Sequence, residues 1–177
     1  ALAGEALTGK RPDEALQFVG EALAREDNQN DLELTFLRAE AYLMKNQTPQ
    51  AKAEFEQALK KDPKSAKALH ALGLLHKSMK EVEPAIEKFR AALAADPEHG
   101  ASAIELASLL TEKNDAEGAS KVIDDALTDA NRKKLAPAEI AQALALRGAA
   151  LLAADKKAEA VASFEEATML AIIVAAI

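Results

Sequence analysis

The chain has 177 residues, 49% of them apolar and 29% charged, with 29 Asp and Glu against 22 Lys and Arg and a net charge of −7. That length suits one domain or one short repeat array, and the balance is neither that of a disordered chain nor of a wholly membrane-embedded one. The lack of cysteine excludes disulfides, cysteine-bearing zinc sites and a thiol nucleophile, and the acidic excess argues against nucleic acid as a partner, because Lys and Arg are what displace phosphate counterions.

Ala, Leu, Glu and Lys dominate, and β-branched residues are sparse until the last positions, so every predicted element is a helix. The first helical pattern runs to the polar cluster Asp27-Asn28-Gln29-Asn30-Asp31. The second ends at Asp62-Pro63 and the third at Asp96-Pro97, where proline cannot continue a helix. A fourth closes near Asp129-Ala130-Asn131. The fifth is expected to begin near Pro137, since proline suits a helix's first turn, and to run about one turn long.

Each stretch repeats the one before. Ala51, Phe55, Ala58 and Pro63 recur 34 residues later as Ala85, Phe89, Ala92 and Pro97, then as Ala119, Ile123 and Ala126. Ala160, Phe164 and Ala167 keep the internal spacing near the end, and Ala15, Val19 and Ala22 near the start. Upstream, Arg38-Ala39, Leu72-Gly73, Leu106-Ala107 and Arg147-Gly148 correspond. Small residues at fixed intervals let paired helices approach closely. Phe55, Phe89 and Phe164 are expected to fill the space between one pair and the next.

This rhythm resembles the tetratricopeptide repeat, a 34-residue helix–turn–helix. The resemblance implies an all-α, right-handed solenoid of antiparallel helix pairs, with units at about 1–29, 32–65, 66–99, 100–133 and 141–174 in a single array over 1–177. Two extra residues at Asn30-Asp31 and seven between the last two units interrupt the period. The first unit lacks its opening turn, as expected of a fragment of a longer, bacterial protein.

The resemblance also implies a concave groove lined by the first helix of each unit. Carried over, the lining is Glu33, Phe36, Glu40 and Leu43, then Lys67, His70, Leu74 and Lys77, then Ile104 and Ser108, with Ala101, Thr111, Gln142, Ala145, Ala149, Leu152, Glu5 and Thr8 beside them. Phe36 has no core position in the repeat pattern, which makes it a candidate anchor for a ligand; the alternative is packing against the preceding helix. The chaperone-binding subgroup uses Lys and Asn where this chain has Phe36 and Glu40, or His70 and Leu74, so that type of carboxylate clamp does not fit.

Other motifs yield to plainer readings. Gly4, Gly9 and Lys10 have phosphate-loop spacing, but Arg11 stands where magnesium needs Ser or Thr. His70 and His76 point about 120° apart on a helix and do not converge on a metal. The carboxylates alternate with Lys and Arg on outward faces, the pattern of a solvated surface rather than an acid–base pair. No catalytic residue, metal or cofactor is expected.

The chain closes on nine apolar residues, Met169 to Ile177, about half of what a bilayer span needs. Met169, Leu170, Ile172, Ile173 and Ile177 are candidates for a homodimer contact, in preference to a membrane one. The sequence thus points to a non-enzymatic adaptor holding a peptide or helical segment of a protein partner. The alternatives are the recognition arm of a larger bacterial enzyme or export assembly, and an oligomerisation module built on the apolar end. It names no compartment.

Overall fold

A computed structural model describes residues 2–25, 28, 31–132 and 135–176. They form two compact units, Ala1–Met79 and Lys80–Ile177. The first contains α1 (Leu2–Thr8), α2 (Pro12–Leu23), α3 (Leu32–Met44), α4 (Thr48–Lys61) and α5 (Ala66–Ser78). The second contains α6 (Val82–Ala95), α7 (Gly100–Glu112), α8 (Ala116–Ala126), the short α9 (Asp129–Arg132), α10 (Pro137–Ala153) and α11 (Lys157–Ala175). No strand occurs among the described residues.

The helix boundaries follow local chemistry. Asp31, Ser65 and His99 stand 34 residues apart and cap α3, α5 and α7. The Asp31 carboxylate accepts from the Glu33 and Leu34 N–H groups, the Ser65 hydroxyl from Ala68, and His99 Nδ1 from Ser102, each satisfying donors that a helix start leaves unpaired. At the far ends, Asp62 and Asp96 adopt extended backbone ahead of their prolines, and their carboxylates accept from the Lys64 and Glu98 N–H groups at 3.1 and 3.0 Å.

One left-handed residue lies in each of the links α1–α2, α3–α4, α5–α6, α7–α8 and α10–α11: Lys10, Asn46, Lys80, Asn114 and Asp155, with φ from 55° to 62°. The intervals are 36, 34, 34 and 41, so the two- and seven-residue interruptions appear directly in the register of these turns. Around Asn46 the closure is a Schellman motif, with Gln47 N–H donating to Tyr42 C=O and Asn46 N–H to Leu43 C=O, at 2.8 and 2.9 Å. Matching bonds close the turns at Lys10, Asn114 and Asp155. None of the five is glycine, which is why sequence reading passed over them.

In the first unit, α1 packs on α2, α2 on α3, α3 on α4 and α4 on α5. Its core joins Ala39, Ala51 and Ala58 at the helix crossings with Phe36, Phe55 and Leu72, and a smaller cluster gathers Ala6, Ala15 and Ala41. In the second unit, α7 packs on α6 and α8, and α10 on α7, α8 and α11. Phe89, Leu106, Leu109 and Ile123 fill that core around Ala85, Ala107 and Ala119.

The longest interruption of the repeat has a structural use. The fifth pair opens at Pro137, as expected, with the Ala136 N–H donating to Glu139 Oε2 at 2.8 Å, and α10 has 17 residues where α3, α5 and α7 have 13. Leu135 folds back onto the start of α7 so closely that a Cβ on Gly100 would stand 2.2 Å from its Cδ2 atom. Phe164 departs from expectation. Phe55 and Phe89 are 3% and 0% exposed, but Phe164 is 37% exposed. The helices that follow Phe55 and Phe89, α5 and α7, contribute residues to the same clusters, whereas Phe164 lies against Gly148, where a Cβ would approach its ring to 2.8 Å.

Candidate functional site: a cleft between α3 and α5

In the first unit α3 and α5 are both packed on α4, and their outward faces frame a cleft of about 440 Å³, within the range of pockets that hold ligands. Phe36, Glu40 and Leu43 come from α3, Phe55 from α4, and Lys67, His70, Ala71, Leu74, Leu75 and Ser78 from α5. The floor is aromatic: the Phe36 and Phe55 rings lie 6.0 Å apart at 43°. The lips are Leu43 and Leu74, 38% and 40% exposed, an arrangement that leaves apolar surface in water with nothing covering it.

One end of the cleft is closed by charge. Lys67 Nζ lies 3.2 Å from a Glu33 carboxylate oxygen and 4.3 Å from the centroid of the Phe36 ring, so one ammonium serves an ion pair and a cation–π contact. Both charged side chains are more than half exposed, and such a pair contributes little stability. Glu40, further along α3, is exposed and forms no ion pair among the described residues.

Six of the ten residues expected to line a groove meet here: Phe36, Glu40, Leu43, Lys67, His70 and Leu74. Glu33 stands at the rim through its contact with Lys67, and Lys77 lies half-buried in the last turn of α5, outside the lining. Phe36 does have a core position, at 5% exposure within the cluster around Phe55, so it is the floor of the cleft rather than a free-standing anchor. The lining contributed by Phe55, Ala71, Leu75 and Ser78 was missed, because the repeat pattern assigns Phe55 to packing between pairs.

The second unit departs from the expected groove. Ile104 is 6% exposed and belongs to the core, because α10 packs directly on α7 and contributes Ala143 and Ala150 to the same cluster. Ser108 is half-buried and its hydroxyl donates to Glu112 at 3.4 Å. Farther along, α11 carries an apolar face of Val161, Phe164, Met169 and Ile172. Of the residues proposed for self-association, Met169, Ile172 and Ile173 are exposed, whereas Leu170 packs against Ile140, Leu144 and Ala167. Ile177 lies outside the described residues.

Gly4 sits inside α1, so a helix occupies the place where a phosphate loop would need a strand and a turn. Among the described residues no cluster of three or more His, Asp or Glu could hold a metal, and no helix is long and apolar enough to cross a membrane. Glu83 is held below the ordinary carboxylate range, first by its hydrogen bond from Lys113 and then by that residue's charge, in an exposed ion pair of the second unit.

Repeated antiparallel helix hairpins, small residues at their crossings and a cleft between the first helices of adjacent hairpins define a helical-repeat module. The chain belongs to the tetratricopeptide-repeat family: two family models, both described as tetratricopeptide repeat, match residues 6–75 and 66–99, together more than half of the chain. Similar solved structures include MamA, at 18% identity and a TM-score of 0.77, covering 100% of this chain and 98% of that one. BtubC from P. vanneervenii is 22% identical with a TM-score of 0.80, covering 98% and 78%. YrrB, described as a TPR protein with an unusual peptide-binding site, is 16% identical with a TM-score of 0.66, covering 99% and 89%. At these identities the likeness is one of fold, the all-α tetratricopeptide solenoid. No curated protein matches by sequence.

Proposed function

We propose that the chain is a non-enzymatic protein–protein interaction scaffold that holds a peptide or helical segment of its partner in the cleft between α3 and α5. The observation that carries this reading is the pair of leucine lips over an aromatic floor, an open apolar strip framed by two helices. Such a strip suits a segment that inserts apolar side chains at helical or extended spacing. Family membership supports a scaffold over a catalyst. The test uses peptides selected by display on the intact chain. Replacing Leu43 and Leu74 with Asp should lower their affinity by well over tenfold while the helical circular dichroism and melting temperature hold. Binding that survives both substitutions places the site elsewhere.

A second reading is favoured by one observation, the exposed face of α11. Val161, Met169 and Ile172 are each more than half exposed on the helix that also carries the partly exposed Phe164. In this reading the face joins two copies of the chain. Light scattering of the Met169→Lys/Ile172→Lys variant against the parent separates it from the first: a monomeric parent refutes it.

A further inference from the structure

The two acidic residues of α3 near the cleft differ in their circumstances. Glu33 is neutralised by Lys67, which is held in place over the Phe36 ring. Glu40 lies seven residues further along, two turns down the same helix face, and lines the cleft itself. It is exposed and forms no ion pair among the described residues. Of the acidic and lysine side chains that line the cleft, Lys67 has an ion-pair partner and Glu40 has none among the described residues.

We propose that the segment seated in this cleft presents a basic residue to Glu40, about one helical turn from an apolar side chain that inserts between Leu43 and Leu74 over the Phe36–Phe55 floor. This rests on the cleft being the binding site and adds the chemistry of the partner. Charge complementarity selects it: an acidic segment would meet the unpaired carboxylate of Glu40 and would have to displace Glu33 to reach Lys67. Arginine fits best, since its planar fork pairs with both carboxylate oxygens and its stem lies along apolar surface such as the leucine lips. The Glu33–Lys67 pair closes one end of the cleft, so the basic residue sets the direction in which the segment lies.

The experiment is a display selection from a random peptide library on the intact chain, followed by titration of synthetic peptides against the parent, Leu74→Asp, Glu40→Gln and Glu40→Arg. Peptides whose binding is lost in Leu74→Asp should carry Arg or Lys near their apolar anchor. Changing that residue to Glu should weaken binding to the parent by roughly tenfold or more. Glu40→Gln should lower affinity for the basic peptide and flatten its salt dependence, and Glu40→Arg should prefer the Glu peptide. Circular dichroism of each variant checks that the helices persist. If Leu74-dependent peptides bind equally well to the parent and to Glu40→Arg, the assignment of Glu40 is overturned while the cleft stands. If no peptide depends on Leu74, the cleft itself is refuted and this proposal with it.

Discussion

The first unit leaves a cleft between the opening helices of two successive hairpins, and the second unit closes the corresponding space. The face that α5 turns to the cleft carries Lys67, His70 and Leu74, bulky or charged side chains. Between α7 and α10 the packing is direct, and Ile104, Ala143 and Ala150 belong to one buried cluster. Small residues on the incoming helix thus turn a groove position into a core position. Whether a repeat position binds or packs depends less on its own residue than on what the following hairpin presents.

The largest effect should come from the core that closes the second unit. Phe89→Ala should cost about 3–5 kcal/mol, the usual penalty for a large buried aromatic, read from denaturant unfolding. Next, Ile104→Ala should cost about 2–4 kcal/mol and leave peptide affinity unchanged. Leu74→Ala should cost less than about 1 kcal/mol and weaken affinity, because an exposed lip loses little transfer free energy. If those two residues exchanged behaviours, the contrast between open and closed units would be wrong.

Smaller effects concern the turns and the surface. Lys80→Gly should stabilise by roughly 0.5–1 kcal/mol, since its φ of 62° disfavours any side chain. Asn114→Gly should gain less, because Asn tolerates that conformation. The Glu83–Lys113 pair provides the smallest test. The Glu83 carboxyl is depressed in the fold, so its unfolded form takes up a proton first. Its contribution is present above the ordinary glutamate value and is lost as the pH falls through the lowered one. Lys113→Met should reduce this acid-side slope slightly at low salt and leave stability at high salt nearly unaltered.

Much of the fold was legible because it is written in local chemistry at a fixed period. The prolines after Asp62 and Asp96 and the start at Pro137 each act within one turn of the chain, whereas the caps at Asp31 and Ser65 emerged only with the structure. The cleft was partly legible, since the repeat register brings Phe36, Glu40 and Leu43 opposite Lys67, His70 and Leu74. What escaped depends on neighbours distant in sequence. Ile104 shares its core with Ala143 and Ala150, about forty or more residues on, and Phe36 shares its own with Phe55. Phe164 keeps its spacing but is more exposed than Phe55 and Phe89, which no pattern within its own repeat could register.

The most direct measurement is methyl NMR of the intact chain with a display-selected peptide added stepwise. The Leu43 and Leu74 methyls should shift with the peptide, and those of Ile104, Met169 and Ile172 should stay in place. Shifts at Met169 and Ile172 with Leu43 and Leu74 unmoved would contradict the cleft as the working surface.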